Sequence, residues 1–488
     1  MKTMSPEERA ATPSGVSESG PLYASRVKVY PKRIAGTWRR VKWVILVACL
    51  TVYYGGAWLR WDRGPGAPDQ ALLIDMSGRR AYFFDIEIWP QEVYYITGLL
   101  VLAAVGLFFV TSLFGRVWCG YACPQTVWTD LFMLVERWIQ GDRSARIRLD
   151  KAPWSARKLA LKAATHGAWL LIAFLTGGAW VLYFDDAPTV VRQFFAGGSA
   201  VGVYFFVGLF TTTTYVLAGW AREQVCTYMC PWPRFQAAML DEHSAAVTYR
   251  AWRGEPRGPI RKNADPAVKT GDCIDCKACV HVCPTGIDIR DGLQIQCIGC
   301  GLCIDACNEI MGKVDRAPNL IAWTSVAAEA ERAQGQPGRY RFVRPRTILY
   351  AALLAVVATV MVVALALRST VEVNVLRDRM PQFVLLADGS VRNGYTVKIL
   401  NKARAATTFR IEATGVAGLV LQPAEGDDVR DGAITVEAKP DSVETVPLFL
   451  KGPRGAATEG SHTVTFRVLD EKGRIVARRD AVFIGPAK

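Results

Sequence analysis

Eight cysteines in two matched runs are the residues whose spacing points most directly to chemistry. The first run has two, two and three residues between its members, and the second run repeats this spacing. Thiolates at this pitch wrap a short loop around a 4Fe-4S cluster, and in paired runs the fourth Cys of each run ligates the other cluster. The sequence therefore predicts two 4Fe-4S clusters, one held by Cys273, Cys276, Cys279 and Cys307, the other by Cys297, Cys300, Cys303 and Cys283.

Two structural zinc sites are the alternative for these thiols, since C-x2-C pairs also bind Zn²⁺. Two quartets of equal spacing favour the pattern of two-cluster bacterial ferredoxins instead. The second run departs from that pattern at Asn308, because the first run is followed by Pro284. This difference changes a local turn and not a ligand. We interpret His281, which lies between ligands, as a polar loop residue that tunes the site.

Four further cysteines form two matched Cys-x3-Cys-Pro motifs, at Cys119 and Cys123 and at Cys226 and Cys230. Pro is favoured as the first residue of a helix. This would place Cys123 and Cys230 at helix N-caps, where the helix dipole lowers the pKa of a thiol. Four thiolates with the nearby thioether of Met229 form a soft ligand set suited to Cu(I). A third Fe–S cluster, a dithiol redox pair and buried structural Cys are the alternatives.

Membrane helices are the elements that must position these thiols. The chain has 488 residues, 51% hydrophobic and only 21% charged, whereas about a quarter of a soluble chain is charged. This composition argues against a purely cytosolic enzyme and against a disordered or fibrous protein. The uneven Cys distribution excludes a secreted disulfide scaffold. Spans of about 20 residues cross the hydrocarbon core, and five segments qualify: Trp43–Leu59, Val93–Phe114, Leu159–Phe184, Val201–Ala221 and Ile348–Leu367.

Three side chains within these predicted spans are polar or reactive. Lys162 lies near one end of the third span, where its amine can snorkel to the interface. Cys49 is unpaired, and we interpret it as an apolar filler. His166 is a functional candidate, because ionisable residues inside a membrane usually serve function. A hydrogen bond between helices is the alternative role for His166.

Loop charge predicts the orientation of the spans. Residues 26–42 contain seven Lys/Arg and no acid, and residues 116–158 contain eight Lys/Arg and four acids. Residues 60–92 instead have four bases and six acids. Because Lys/Arg-rich loops stay in the cytoplasm, we predict a cytoplasmic N-terminus and a C-terminus outside. The net charge of +14 then belongs to loops at a membrane face and not to a nucleic-acid site.

The tail after the fifth span is predicted to be a β-sandwich. Thr463–Val468 alternates polar and apolar residues, and turn signals separate such runs. Seven or eight short strands suggest an immunoglobulin-like fold. The tail has no Cys, one His and one Met, which makes it an interaction surface or scaffold and not a metal carrier. The turn signals are Asn393-Gly394, Asp431-Gly432, Pro440-Asp441 and Glu471-Lys472-Gly473, and the single His and Met are His462 and Met380.

Together these observations predict an α-helical membrane protein of about five spans, with a two-cluster ferredoxin-like cytoplasmic domain and a C-terminal all-β immunoglobulin-like sandwich. The predicted regions are a basic cytoplasmic arm (1–42), a four-span membrane domain (43–221) with a cytoplasmic loop (116–158), the ferredoxin-like domain (222–346), the fifth span (348–367) and the periplasmic sandwich (369–488).

Three blocks of sequence carry a resemblance to a known family: residues 116–126, 222–231 and 253–258. With the cluster runs and the sandwich tail, they resemble the cytochrome c oxidase accessory family CcoG, also called FixG or RdxA. The resemblance implies a bacterial inner-membrane protein that reduces Cu(II) to Cu(I) for the binuclear centre of cbb3-type oxidase. It implies copper handling by Cys119, Cys123, Cys226 and Cys230. It implies copper ions, a copper transporter or chaperones, and oxidase assembly factors as partners.

The resulting hypothesis is a membrane-bound cupric reductase in which electrons pass from the clusters to copper on the Cys-x3-Cys-Pro thiols. One rival is an electron-transfer subunit that oxidises membrane quinol, since polyferredoxins of nitrate and nitrous oxide respiration share these motifs. The outer domain, with no Cys, offers no evident cofactor ligands for electron delivery outside. A non-enzymatic assembly scaffold with structural clusters is the other rival. The sequence does not name the electron donor.

Overall fold

The chain divides into two units in the computed structural model, residues 1–63 with 68–358 and residues 64–67 with 359–488. The structure describes residues 28–64, 67–260, 270–424, 429–430, 432–454 and 460–486. Residues 1–27 of the predicted basic arm and Asp431 of a predicted turn therefore lie outside the described residues.

Helices make up most of the first unit. The α-helices of the described residues are α1 Thr37–Gly55, α2 Tyr94–Phe114, α3 Val117–Tyr121, α4 Pro124–Gln140, α5 Arg143–Lys151, α6 Ala156–Val181, α7 Ala187–Ala196, α8 Val201–Thr214, α9 Trp232–Met239, α10 Ala251–Gly254, α11 Ala278–Val282, α12 Leu302–Lys313, α13 Val326–Ala333 and α14 Pro345–Ala366. Two π-helical segments lie at the second Cys-x3-Cys-Pro motif. Tyr215–Ala221 precedes the motif, and Val225–Met229 contains its first Cys, Cys226.

Strands are short in the first unit and longer in the second. Those of the described residues are β1 Leu72–Asp75, β2 Arg80–Phe83, β3 Ile86–Ile88, β4 Ala246–Tyr249, β5 Ile321–Thr324, β6 Val371–Arg377, β7 Val384–Leu385, β8 Val391–Asn401, β9 Thr407–Thr414, β10 Val420–Pro423, β11 Val429–Arg430, β12 Ala433–Ala438, β13 Ser442–Gly452, β14 Ser461–Leu469 and β15 Ile475–Ile484.

All five predicted spans are helices long and apolar enough to cross a membrane. The loops between them also contain helices, since residues 116–158 form α3, α4 and α5, and α7 follows the third span. The loop helices carry enough charge that composition alone does not distinguish them from irregular loops. The spans of the structure are Thr37–Trp58, Pro90–Phe114, Ala156–Val181, Val201–Ala221 and Pro345–Ala366.

Buried ion pairs join α1 to the helices that follow the first motif. Arg39 and Lys42 lie near the start of α1 and pair with Asp130 of α4 at 2.8 and 3.7 Å. Burial alone would raise the pKa of Asp130, but the two cations together bring it below its ordinary value. Asp305 of α12 accepts the backbone N–H groups of Trp38 and Arg39 and so caps α1. The cap attaches the ferredoxin-like part to the first span.

The second unit is the predicted sandwich of two antiparallel sheets. One sheet has the order β10-β13-β8-β6, with β7 also paired to β8, and the other has the order β11-β12-β9-β14-β15. Inward side chains of both sheets form one core that includes Val397, Ile411 and Phe466. Among the described residues of this unit, eight strands have four or more residues, and β7 and β11 have two each.

The predicted turn at Asn393-Gly394 is wrong, because both residues lie inside β8. The Asn393 side chain is buried and exchanges hydrogen bonds of 2.8 and 3.0 Å with the backbone of Ile484. Asn393 thereby provides hydrogen-bond partners for the backbone of β15, which is an edge strand of the other sheet, and does not form a turn. The turns at Pro440-Asp441 and Glu471-Lys472-Gly473 are confirmed. The first joins β12 to β13, which lie in different sheets, and the second joins the paired strands β14 and β15.

Candidate metal centres

The two Cys runs form two neighbouring cavities in the ferredoxin-like part of the first unit. One cavity is lined by Cys273, Cys276, Cys279 and Cys307. The other is lined by Cys283, Cys297, Cys300 and Cys303, with Cys279 in the shared wall. The fourth Cys of each run thus lies with the other run, which is the grouping that the spacing predicts. The assignment of these thiols as cluster ligands stays a prediction.

Both runs have the same backbone conformation at equivalent positions. Asp275 and Lys277 of the first run have φ of 54° and 56°, and Gly299 and Gly301 of the second have 66° and 72°. Left-handed residues of this kind form concavities of backbone N–H groups that bind anionic groups, including Fe–S clusters. In each run the second of these residues is the N-cap of a helix, α11 or α12.

The lining of each cavity fits a 4Fe-4S cluster. Such a cluster takes four Cys thiolates as ligands. The four Cys that the spacing assigns to one cluster line each cavity, and both runs have left-handed residues of the kind that forms N–H concavities at such sites. The residues present therefore fit two 4Fe-4S clusters.

Burial raises the pKa of several thiols in these cavities. It is the main cause that raises the pKa of Cys279 to about 11 and that of Cys297 and Cys307 to about 12. Loading of the ligands as thiolates must therefore release protons. Arg290 lies beside the first cavity, with Nη1 4.0 Å from the Cys273 sulfur and ion pairs to Asp275 and Asp288.

The four Cys-x3-Cys-Pro thiols come from separate elements but lie in one neighbourhood. Cys119 is in α3 and donates from Sγ to Gln236 Oε1 at 2.9 Å, and Cys226 is in the second π segment. Burial raises the pKa of Cys226 to about 12, and negative charge on the other three thiols adds to that rise. The structure thus brings both motifs together.

The expected thiolate activation at helix N-caps is wrong for Cys123. Cys123 is the N-cap of α4, but burial raises its pKa more than the N–H groups of Gln125 and Thr126 lower it. Cys230 is not an N-cap, because Pro231 takes that position before α9. Desolvation, which sequence spacing does not report, decides the protonation of Cys123.

The first motif packs directly on the second cluster loop. The Tyr121 hydroxyl donates to the Cys300 carbonyl at 3.0 Å. A Cβ on Gly120 would lie 2.7 Å from the Gly299 carbonyl oxygen, so the two backbones are in close contact. Cys119 and Cys226 share an apolar cluster with Cys300 and Cys303. The membrane thiols and the second cavity therefore form one continuous region.

Sequence reasoning missed three residues that hold the two motifs in place. Gln125 donates from Nε2 to the carbonyls of Leu217 and Arg222 at 2.8 and 3.1 Å. Arg222 has a left-handed φ of 46° and pairs with Glu136 at 2.9 Å, and Arg116 donates to the Ile295 carbonyl. An Arg shortly before each motif, Arg116 and Arg222, was the available signal.

The fold and these sites define a membrane-bound iron–sulfur electron-transfer protein. Family models describe its parts in the same way: a 4Fe-4S dicluster domain matches residues 221–326, and a 4Fe-4S binding domain matches residues 96–144. A third model, the IG-like fold at the C-terminal of FixG, matches residues 361–486.

Curated relatives identify the family. The chain is 47% identical to the nitrogen fixation protein FixG of Rhizobium meliloti, over 92% of this chain and 91% of FixG. It is 49% identical to protein RdxB of Cereibacter sphaeroides, over 88% of each chain, and 47% identical to RdxA of the same organism, over 93% of this chain and 96% of RdxA. The chain therefore belongs to the FixG/RdxA family, as its motifs predict.

Proposed function

We propose that this protein is a membrane-bound cupric reductase that converts Cu(II) to Cu(I) on the Cys-x3-Cys-Pro thiols. Each Cu(II) takes up one electron, and the resulting Cu(I) supplies the copper centre of a cbb3-type oxidase. The observation that carries the proposal is the single neighbourhood of Cys119, Cys123, Cys226 and Cys230 against the second cluster cavity. Soft thiolates favour Cu(I) over Cu(II), so ligation and reduction act in the same direction.

The chain's own residues support electron delivery to this copper. When bound, 4Fe-4S clusters supply one-electron transfer. Gly299 and Tyr121 hold the second cavity against α3 through backbone contact and a hydrogen bond. Because Cys119 is buried and burial raises the pKa of its thiol, copper binding there releases a proton.

The same proposal assigns an orientation to the chain. We place the N-terminus and the ferredoxin-like part in the cytoplasm and the sandwich in the periplasm. The Lys/Arg excess of residues 26–42, 116–158 and 222–346 supports this orientation. Copper transporters, copper chaperones and oxidase assembly factors are the partners that fit a Cu(I) source of this kind.

Anaerobic purification with metal analysis tests the proposal. The expected content is about eight iron atoms per chain, as two 4Fe-4S clusters require. Protein that has been reduced with dithionite and then freed of excess dithionite by anaerobic gel filtration should convert added Cu(II) to Cu(I), detected with a Cu(I)-specific chelator. Matched samples carry Cys119→Ser or Cys49→Ser, the second of which removes a Cys outside both motifs. Equal reduction rates in all three samples would contradict the proposal.

A third Fe–S cluster on the membrane thiols is the second candidate. The 4Fe-4S binding domain match at residues 96–144 favours it, since that range contains Cys119 and Cys123 and no other Cys. Two thiols from each motif would complete a ligand set of four. Iron close to twelve atoms per chain, instead of about eight, would support this candidate.

A further inference from the structure

A cavity of about 330 Å³ lies beside the second motif and takes no part in the sites above. Its volume is within the range of about 300–1,000 Å³ that small-molecule sites occupy. The wall combines polar and aromatic side chains of α4, α6 and the segment that leads to Cys226. They include Glu136, His166, Trp169, Trp220, Arg222 and Glu223.

His166 is the group of this cavity that is available to a ligand. Its Nδ1 lies 2.9 Å from the Tyr215 hydroxyl, and its ring packs edge-on against Trp169 at 5.1 Å. In the part of the chain that the structure describes, its other nitrogen, Nε2, has no hydrogen-bond partner. His166 lies one turn after Lys162, which pairs with Asp150 of α5, and therefore lies in the first turns of the predicted third span. An ionisable side chain in a span is costly in lipid unless a partner covers it.

The cations around the cavity are held in shared ion pairs. Lys28 and Lys162 both pair with Asp150, at 2.7 and 2.5 Å, and Arg222 and Arg146 both pair with Glu136, at 2.9 and 3.1 Å. Each cation has a carboxylate partner, but the cations outnumber the carboxylates, so a headgroup phosphate is the competing ligand that the test must separate. Two Trp rings beside a polar nitrogen suit a planar, polar headgroup on an apolar molecule.

The cavity is also adjacent to the redox thiols. Arg222 and Glu223 line it, and Cys226 follows Glu223 by three residues. Cys226 in turn packs against the apolar cluster that contains Cys300 of the second cluster cavity. A bound molecule is therefore placed beside the segment that connects to the thiols of the second motif.

We propose that this cavity binds the headgroup of a membrane quinol, which is the electron donor of the protein. This inference rests on the proposed function, since Cu(II) is its oxidant. One quinol loses two electrons and two protons as its two O–H groups become C=O groups. The electrons convert two Cu(II) to two Cu(I). The hydroxyl that faces His166 transfers its proton to Nε2, and the other proton passes to water at the membrane surface.

Cluster reduction by decylubiquinol in the absence of copper tests the site. Full-length protein in nanodiscs is mixed with the quinol anaerobically, and the loss of visible cluster absorbance is recorded. We expect reduction of the wild type and a roughly hundredfold slower rate in His166→Gln, since a positioned proton acceptor contributes about 10²–10⁴-fold. The matched control is His243→Gln, which changes the same residue type outside the cavity and should keep the wild-type rate.

Iron content and dithionite reduction keep the test independent of folding. Both should be unchanged in His166→Gln, so that only the quinol step is slow. Absence of quinol-driven reduction in the wild type, or equal rates in wild type and His166→Gln, would overturn the proposal. Competition by anionic lipid nanodiscs would overturn it as well, because it would identify a headgroup phosphate as the ligand. Cu(II) reduction by dithionite-reduced protein from which excess dithionite has been removed tests the proposed function separately, since it requires no quinol.

Discussion

At the scale of single residues, the twelve clustered thiols divide into two systems with different surroundings. Eight line the two cavities of the ferredoxin-like part, and four lie where the two Cys-x3-Cys-Pro motifs meet. Cys119 and Cys300 share an apolar cluster, so the two groups of thiols are in packing contact with each other. Substitution of one residue at a time can separate their roles.

Serine substitution at Cys119 or Cys226 should weaken copper binding and leave iron unchanged. The cavities already offer four thiols to each cluster, whereas the copper site loses one of its soft ligands. Cys276→Ser or Cys300→Ser should instead lose one cluster, about four iron atoms per chain, while the copper thiols stay intact. Iron and sulfide assays with copper titration distinguish the two sets. If Cys119→Ser lost a whole cluster, the membrane thiols would be cluster ligands.

A buried carboxylate should make the contact between α1 and α4 sensitive to acid. The pKa of Asp130 is below its ordinary value in the folded chain, so its ion pairs stabilise the fold above the unfolded pKa of about 3.9 and lose effect as pH falls further. Asp130→Asn leaves Arg39 and Lys42 buried with no countercharge there and should cost about 3–5 kcal/mol at neutral pH.

Thermal unfolding followed by Trp fluorescence at neutral and acidic pH measures this effect. The matched control is Asp388→Asn, which removes an exposed partner of Lys451 and should leave the unfolding midpoint near that of the wild type. A midpoint for Asp130→Asn equal to that of the control at neutral pH would show that the buried pairs do not stabilise the fold.

At the scale of elements, the close packing of α3 on the second cluster loop should be intolerant of added volume. Gly120→Ala would put a Cβ 2.7 Å from a backbone oxygen of Gly299, which cannot move aside as a flexible side chain can. We expect a loss of about 1–3 kcal/mol in stability and slower electron transfer from clusters to copper. Stopped-flow mixing of reduced protein with Cu(II) measures the transfer.

Gly208→Ala is the control for this element, since a Cβ there meets nothing within 4 Å. It should be neutral or slightly stabilising, because Ala is the better helix former. Unchanged stability and unchanged transfer in Gly120→Ala would mean that α3 and the loop can separate without consequence.

Spacing and hydropathy predicted the elements better than their contacts. The five spans follow from long apolar segments, and the exchange of Cys283 and Cys307 between the two cavities follows from the repeat of the two runs. The raised pKa of Cys123 was mispredicted because burial comes from tertiary packing. Asn393 looked like a turn residue, but its partner is Ile484, far away in sequence. Local patterns carry no information about such partners.

At the scale of the whole molecule, charge asymmetry and Cys distribution point to one orientation. Residues 26–42 contain seven Lys/Arg and no acid, and residues 116–158 contain eight Lys/Arg and four acids. The two segments together therefore have 15 basic residues and four acidic ones. Residues 60–92 and 185–200, on the other side of the predicted spans, have more acids than bases. The absence of Cys from residues 369–488 also suits an oxidising compartment.

Reporter fusions test this orientation directly. Alkaline phosphatase, which is active only in the periplasm, should be active when fused after Leu59 or after Leu367. A fluorescent reporter that folds only in the cytoplasm should be active when fused within residues 222–346. The expected result follows because Lys/Arg-rich loops resist translocation, and five crossings place the two ends of the chain on opposite sides. A cytoplasmic sandwich would require an even number of crossings, and one of the five apolar helices would then have to lie outside the bilayer.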